Sequence, residues 1–181
     1  MEVDLRRLQR QAAEGADRHL SSSLDVRALV DGDRAWVERL VVERWGAPLV
    51  VGRRRSWSPL ELPGFAAFDD DRCVGLVTYE LEDGACEIVT IDALEEGRGV
   101  GTALMRAVEE VARAAGCVRL QLVTTNNNLR ALAFYQKRGF RLVALVPGAV
   151  DEARTIKTSI PEEDDRGLPI RDELHLELRL D

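Results

Sequence analysis

The stretch Glu96-Gly97-Arg98-Gly99-Val100-Gly101-Thr102 lies between a β-branched run and a long amphipathic segment. A glycine-rich turn that leads from a strand into a helix leaves backbone N–H groups available to bind an anion, and this geometry suits a pyrophosphate. Glycines at positions 97, 99 and 101 tolerate positive φ and let a ligand approach the backbone. Such a turn is also typical of a purely structural connection, so the flanking segments must decide between the two.

Strands precede this turn and a helix follows it. Residues 65–68, 73–81 and 85–92 have the composition of strands, and the polar turns 69–71 and 82–84 separate them. This order predicts an antiparallel meander. Apolar residues from 100 to 111 recur with helical spacing, which predicts a helix over 99–115 that ends at Gly116.

The remaining segments predict further helices and strands. In chain order they are a helix over 4–20, a linker at 21–23, a strand over 24–30, a helix capped by Asp31 or Asp33 that ends near 45–46, a strand over 49–51, a strand over 118–123, a helix over 129–138, a strand over 140–146, a long loop over 147–169 with one helical turn, and a strand over 174–180. Helices lying between strands are typical of α/β layers. We therefore expect an N-terminal helical extension and linker over 1–23 and one α/β domain over 24–181.

Composition restricts the class of protein. The 181 residues are 45% hydrophobic and carry a net charge of −7, which favours a globular domain and disfavours nucleic acid as the main partner. An acidic surface attracts cationic or amine substrates instead. The basic run Arg53-Arg54-Arg55 is interpreted as a solvated turn in preference to a phosphate or substrate contact.

Cysteine and histidine usage points away from disulfides and metal centres. Cys73, Cys86 and Cys117 are odd in number and lie in apolar runs, so buried reduced thiols are expected. His19 and His175 are too few for a zinc cluster or a histidine-based triad, and no metal is expected. Without a signal-like or membrane-spanning apolar run, the sequence predicts a cytoplasmic protein with no membrane partner.

The segment from Asn128 to Phe140 decides how the glycine-rich turn is interpreted. The turn lacks the glycine spacing of a dinucleotide fingerprint, and no Gly-Lys-Ser/Thr follows it to make a Walker loop. The sequence Asn128-Leu129-Arg130-Ala131-Leu132-Ala133-Phe134-Tyr135-Gln136-Lys137-Arg138-Gly139-Phe140 resembles the Asn-x-x-Ala-x-x-Phe-Tyr-x-x-x-Gly-Phe signature of the GNAT acyl-CoA N-acyltransferases. Residues 154–161 and 170–173 look like those of an uncharacterised bacterial subgroup of that family. This second resemblance does not indicate a substrate.

The resemblance implies an α/β fold and an acyl-CoA site. The GNAT-like central sheet would be mixed, mostly antiparallel, flanked by helices, and splayed after Asp92 to admit acetyl-CoA, with CoA as the product. The pantetheine arm would pair with backbone groups of Ile91 and Ala93, and the Ile91 N–H would polarise the thioester carbonyl. Asn128 would contact the cofactor arm, although Asn126 and Asn127 leave the register open and an N-cap role is the alternative.

The diphosphate would rest on the backbone amides of Arg98, Gly99, Val100, Gly101 and Thr102. Members of the family usually have Arg or Gln where this chain has Glu96. A carboxylate beside a diphosphate is unfavourable, so Arg98 is expected to supply the positive partner.

Two residues are candidates for proton transfer. By the resemblance, Tyr135 would protonate the departing CoA thiolate, whereas a role as a core aromatic is the alternative. Glu87 is the first candidate for the base, and Val89 and Ile91 are expected on its face. By the resemblance, the histone-acetyltransferase branch has its glutamate at the position of Ala85, two residues away, which shares a face with Glu87 only if no bulge intervenes. Asp92 or a water chain is also open, and an ordinary solvated or salt-bridged acid is the structural alternative for Glu87.

These residues lead to an expected function. We expect an N-acetyltransferase that moves the acetyl group of acetyl-CoA to a primary amine of a small molecule or peptide, by direct attack in a ternary complex. A non-catalytic acyl-CoA-binding or regulatory module is the alternative, and a nucleic-acid-directed enzyme is disfavoured by the charge. The acceptor pocket is expected around 44–62 and 150–161. Several acids could receive an amine, although each is expected more readily at the surface: Glu61, Asp151, Glu152, Asp172 and Glu173. A homodimer stays open.

Overall fold

The computed structural model describes residues 4–17, 24–95 and 97–180. Its helices and strands are, in chain order, α1 (Leu5–Asp17), β1 (Leu24–Ala28), α2 (Arg34–Trp45), β2 (Val50–Gly52), β3 (Arg55–Trp57), β4 (Gly64–Asp69), β5 (Arg72–Glu82), β6 (Ala85–Ala93), α3 (Val100–Ala114), β7 (Arg119–Thr125), α4 (Leu129–Gln136), β8 (Arg141–Val146), α5 (Ala149–Arg154) and β9 (Glu173–Arg179). Seven of the described strands form a mostly antiparallel sheet, so the expected α/β fold class is confirmed. The linker at 21–23 and Glu96 lie outside the described residues, and the domain division at residue 24 stays a prediction.

The chain divides into two compact units, of which the first comprises Met1–Arg34, Glu61–Leu120 and Leu180–Asp181. In this unit β1, β4, β5 and β6 are neighbours in that order, and every pair is antiparallel. The predicted meander of β4, β5 and β6 is therefore confirmed. Helix α3 packs on β4, β5 and β6, and α1 packs on α3 and β1.

Gly75 allows α3 to lie close to β5. A Cβ at this position would lie 2.5 Å from Cγ1 of Val100 and 2.9 Å from Cδ1 of Leu104. Both helix residues are fully buried. Because a side chain on residue 75 would push the helix away, this glycine sets how closely the N-terminal end of α3 approaches the strands.

The second unit comprises Ala35–Leu60 and Gln121–Arg179. In it β7, β9 and β8 are neighbours in that order, β2 and β3 form a separate hairpin, and α5 packs on β2. In place of the hairpin, the sequence predicted only one brief strand, over 49–51. The turn of the hairpin contains Arg53 and Arg54, with φ of 49° and 57°. Glycine or asparagine usually marks such a turn, so two arginines conceal it from sequence analysis.

Candidate active site

A β-bulge interrupts the pairing of β5 with β6. Thr78 pairs with Thr90, but the next residue, Tyr79, pairs with Ile88. Val89 is therefore an extra residue on β6. An inserted residue reverses the alternation of side chains along the strand, so residues before and after it no longer keep the faces that simple counting assigns.

The bulge changes the face on which Glu87 lies. Directly paired side chains share a face, and Glu87 pairs with Glu80, which lies on the same face of β5 as Thr78. Oγ1 of Thr78 and Oγ1 of Thr90 are 2.8 Å apart, which places Thr90 there too. The expectation that Glu87 shares a face with Ile91 is therefore wrong.

Glu87 is buried, with 6% of its surface exposed. Thr78 and Thr90 on the same face are also buried. The alternative of a solvated surface carboxylate is thus excluded. A buried carboxylate on the same face of the sheet as this hydroxyl pair is a candidate proton acceptor.

The backbone of β6 beyond the bulge points its N–H groups in alternating directions. The N–H of Leu94 donates to the carbonyl of Val74 at 2.8 Å, toward β5. In an antiparallel ladder, alternate residues face the same neighbour, so Asp92 also faces β5. Ile91 and Ala93 consequently direct their N–H groups toward the opposite edge of β6. This is the direction that the expected pairing with a pantetheine arm requires.

Two of the three glycines in the loop have positive φ. Gly97 and Gly99 have φ of 76° and 78°, and a Cβ on either would meet no described atom within 4 Å. Glycine is therefore favoured at these two positions because of the positive φ and not because a side chain would lack space. Gly101 lies in the first turn of α3, is buried, and has no positive φ, so the expectation of one shared role for all three is corrected.

The N-terminal end of α3 begins directly after Gly99. The carbonyl of Gly99 accepts the N–H of Thr102 at 2.9 Å and that of Ala103 at 3.0 Å. Thr102 thus uses its N–H within the first helical turn. Val100 and Gly101 precede it, and the first residues of any helix lack an acceptor one turn back for their N–H groups. The helix dipole adds positive potential at the same end.

The Arg98 side chain is engaged by two carboxylates. Its Nη1 lies 2.6 Å from Oδ2 of Asp69 and 2.8 Å from Oε2 of Glu95, which also pairs with Arg72. These contacts raise the pKa of Arg98, chiefly through Asp69, and the bond from Arg98 is the main cause that lowers the pKa of Glu95. Arg98 is therefore paired with carboxylates in this structure, and its contact with a diphosphate stays a prediction.

Asn128 is the N-cap of α4 in the second unit. Its Oδ1 accepts the N–H of Ala131 at 3.2 Å, so the N-cap alternative is confirmed. The side chains of Asn126 and Asn127 bind the segment 164–172. Asn128 is thus the one of the three that caps the helix, and its contact with the cofactor arm stays a prediction.

Tyr135 lies on α4 and is buried, with 7% exposed. Its ring centroid is 5.4 Å from that of Phe134 in an edge-on arrangement and 5.8 Å from that of Phe140. The guanidinium of Arg138 lies over the Phe134 ring at 3.5 Å. These contacts fix the position of the Tyr135 ring, which suits a core aromatic and equally a pre-oriented phenol.

The sequence matches the acetyltransferase (GNAT) family over residues 35–140. The chain belongs to this family. It is 43% identical to the uncharacterized protein YdhI of Bacillus subtilis (strain 168) over 133 residues, 73% of this chain and 83% of the relative. The fold is similar to IAA acetyltransferase from Bacillus cereus ATCC 14579, with a TM-score of 0.64 and 22% identity over 87% of this chain and 100% of that one. It is also similar to yncA of Salmonella typhimurium, solved with its cofactor acetyl-CoA, with a TM-score of 0.64 and 14% identity over 88% of this chain and 95% of that one.

The predicted residues of this GNAT acetyltransferase fall into two groups. Glu87, Ile91, Ala93 and the loop 97–102 belong to the first unit, and Asn128 and Tyr135 belong to the second. Sequence analysis missed the buried hydroxyl pair of Thr78 and Thr90. No sequence signal reveals it, because only the strand register shows that these residues are opposite each other.

Two further findings on the described residues concern membrane spans and metal sites. No helix among them is long and apolar enough to cross a membrane. They also contain no group of three or more His, Cys, Asp and Glu side chains that could hold a metal ion.

Proposed function

We propose that this GNAT acetyltransferase moves the acetyl group of acetyl-CoA to a primary amine by direct attack in a ternary complex and releases CoA. The observation that carries the proposal is the backbone of β6, where a bulge at Val89 is followed by outward N–H groups at Ile91 and Ala93. Acetyl-CoA is the cofactor of the similar yncA structure, which supports the same donor here.

Backbone groups would hold the donor. The N–H groups of Ile91 and Ala93 pair with the pantetheine arm, and the amides of Arg98, Gly99, Val100 and Gly101 face the diphosphate with the helix dipole behind them. Thr102 closes the first turn of α3, so its part in phosphate binding rests on the resemblance. Asn128 contacts the cofactor arm while it caps α4.

The chemical step needs one base, one acid and one donor to the oxyanion. A primary amine is mostly protonated at neutral pH, and Glu87, Asp92 or a water chain takes its proton before the nitrogen attacks the thioester carbon. The Ile91 N–H stabilises the oxyanion that forms as the C–N bond is made. When the C–S bond breaks, the Tyr135 phenol gives its proton to the departing thiolate.

A cysteine relay is disfavoured. Cys86 is fully buried beside Glu87, and burial raises the pKa of its thiol. Burial likewise raises the pKa of Cys73 and Cys117. Since the thiolate and not the thiol is the nucleophile, none of the three is suited to form an acyl-enzyme at neutral pH.

An acceptor panel tests the proposal. The full chain is mixed with acetyl-CoA and a set of small-molecule and peptide amines, and free CoA thiol and acetylated product are both measured. Amine-dependent release of both in equal amounts supports acetyl transfer. Tight acetyl-CoA binding without turnover across the panel would favour the non-catalytic module. The net charge of −7 makes amines better acceptor candidates than nucleic acid.

A further inference from the structure

Four charged side chains connect the glycine-rich loop to the turn between β4 and β5, all within the first unit. Nη1 of Arg98 lies 2.6 Å from Oδ2 of Asp69 and 2.8 Å from Oε2 of Glu95. Nη2 of Arg72 pairs with Oε1 of Glu95 and lies 3.7 Å from Oδ2 of Asp69. We call Asp69, Arg72, Glu95 and Arg98 the Arg98 clamp. Its two cations and two carboxylates balance each other at neutral pH.

The sheet anchors the carboxylates of the Arg98 clamp. Asp69 is the last residue of β4, Arg72 is the first residue of β5, and the two are directly paired. Glu95 follows β6, where the N–H of Leu94 still donates to the carbonyl of Val74 at 2.8 Å. Both carboxylates of the clamp therefore lie on, or next to, backbone that the strand ladder orders.

Arg98 supplies a side-chain contact between two residues that have no side chain. It lies between Gly97 and Gly99, both with positive φ, and a Cβ on either glycine would meet no described atom within 4 Å. Glycine loses more conformational freedom on ordering than any other residue, so a fixed conformation of this segment is costly unless a contact holds it. The clamp holds the residue directly before Gly99, which is the N-cap of α3.

The Arg98 clamp has more than the contacts of a single surface ion pair. The side chain of Arg98 is 37% exposed, but those of Asp69 and Glu95 are only 19% and 24% exposed. An isolated pair of exposed charges contributes little, whereas short charge-assisted hydrogen bonds within a network contribute more. Loss of one carboxylate should therefore have a measurable effect on the backbone next to Arg98.

We propose that Asp69 and Glu95 are positioning residues that act through the Arg98 side chain and order the amides at the start of α3 before the donor diphosphate binds. The inference rests on the proposed function and adds these residues to it. Preorganised groups bind more tightly because the cost of ordering them is already met. A carboxylate near a diphosphate would by itself repel it. Positioning and repulsion therefore change donor affinity in opposite directions when Asp69 loses its charge.

Calorimetric titration of the full chain with acetyl-CoA determines the direction of this change. Asp69→Asn should raise the Kd about 5- to 10-fold and raise the KM for acetyl-CoA to the same extent, while kcat at saturation and the KM for the amine stay unchanged. Asp69→Glu should recover part of the affinity. Asp71→Asn makes the same charge change at an exposed position of the same turn and should not raise the Kd. An unchanged or lower Kd in Asp69→Asn would overturn the proposal, and a lower Kd would make Arg98 a direct contact of the diphosphate.

A double-mutant cycle tests whether Asp69 acts through Arg98. Arg98→Gln removes the guanidinium and keeps the backbone N–H, and it should raise the Kd at least as much as Asp69→Asn does. The variant that carries both substitutions should lose no more affinity than Arg98→Gln alone, because the contact is already broken. Glu95→Gln removes the second partner of Arg98 and should change the Kd in the same direction. Additive losses in the cycle would contradict the positioning role.

Hydrogen exchange of the ligand-free protein keeps the two proposals distinguishable. The N–H groups of Thr102 and Ala103 donate to the carbonyl of Gly99 at 2.9 and 3.0 Å. If the clamp orders this end of α3, both amides should exchange faster in Asp69→Asn than in the wild type and in Asp71→Asn. If the wild type binds no acetyl-CoA, the proposed function fails, and the exchange rates still test the clamp. Unchanged rates in Asp69→Asn, or faster exchange along the whole of α3 with a lower Tm, would overturn it.

Discussion

Two buried carboxylates have different surroundings. Glu87 lies on the same face of the sheet as the hydroxyl pair of Thr78 and Thr90. Oε2 of Glu173 accepts the N–H of Arg53 at 3.2 Å and lies 3.0 Å from Nε2 of His175. The partners of each carboxylate, and not the residue type, distinguish the two groups.

The role of Glu87 has a direct kinetic test. We expect Glu87→Gln to lower kcat about 100-fold at neutral pH, because the amine then loses its proton without the base. The loss should narrow as pH rises, since more of the amine is already neutral. Glu80→Gln, on the paired residue of β5, is the matched control and should retain kcat. If both variants keep wild-type rates, Asp92 or a water chain takes the proton instead.

Tyr135 is tested by removal of its hydroxyl group alone. Tyr135→Phe keeps the ring and its contacts with Phe134 and Phe140, so the Tm should change little. We expect kcat to fall about 100-fold while the KM for acetyl-CoA stays the same, because the thiolate leaves without its acid. A variant with wild-type kcat would make Tyr135 a core aromatic only.

Lys157 is a buried cation with a stability consequence. Its Nζ donates to the carbonyl of Leu49 at 2.8 Å, and burial lowers its pKa below the ordinary 10.5. Below the folded-state pKa both folded and unfolded chains hold the proton, and the folded state carries the full cost of the buried charge. Between the folded-state pKa and 10.5 the unfolded chain binds more protons, so stability rises with pH there.

Lys157→Met should remove this rise. We expect the free energy of unfolding of the wild type, measured with urea, to increase as pH approaches 10.5, and that of Lys157→Met to lack this component. Lys137, the other lysine, is exposed at the C-cap of α4, so Lys137→Met is the control and should keep the wild-type slope. An identical slope in all three proteins would show that Lys157 does not titrate differently on folding.

At the level of elements, the junction of β6 with α3 contains the backbone features on which the proposed donor site rests. The bulge at Val89, the outward N–H groups beyond it and the positive-φ glycines all lie between Val89 and the start of α3. Gly75 on β5 lets the first residue of α3, Val100, lie close to the strands. In the proposal, backbone groups and not a positive side chain bind the donor.

Gly97 and Gly99 provide a matched pair of substitutions at this junction. Both have positive φ and open space, so Gly97→Ala and Gly99→Ala should each cost roughly 1–2 kcal/mol of stability through backbone strain. We expect only Gly99→Ala, at the N-cap of α3, to weaken acetyl-CoA binding, by about tenfold, because it disturbs the amides of the first turn. Calorimetric Kd values compare the two, and equal losses of affinity would contradict a specific role for this end of α3.

At the scale of the whole molecule, the proposed ternary complex has a kinetic consequence. Burial raises the pKa of all three cysteines, which disfavours a cysteine acyl-enzyme. In the proposed mechanism donor and acceptor are bound together when the acetyl group moves.

Steady-state kinetics distinguish a ternary complex from a covalent relay. With both substrates varied, double-reciprocal plots should give intersecting lines, which indicate a ternary complex. Parallel lines would indicate an acyl-enzyme. As a chemical control, Cys73→Ser, the variant of the only partly exposed cysteine, should keep wild-type kcat. Trapping of an acetylated cysteine by mass spectrometry would contradict direct attack.

Much of the fold followed from local sequence patterns. The meander, α3 and α4 were predicted within a few residues, because alternation, helical spacing and terminal glycines act over short distances. The hairpin of β2 and β3 was missed because its turn has arginines where glycine or asparagine is usual. The Asn128 cap was foreseen as an alternative because a cap depends only on neighbours three residues away.

The sequence by itself determined the family, the glycine-rich turn proposed to bind the donor, and the residue types that are available for catalysis. It did so because these depend on motifs that are contiguous in the chain. Only the tertiary structure decided that Glu87 lies on the same face as Thr78 and Thr90, that Arg98 is paired with carboxylates, and that Glu173 is buried. Each of these depends on strand register or on contacts between residues far apart in sequence. A single inserted residue, Val89, changes which side chains of β6 share a face, and the composition of the strand does not reveal it.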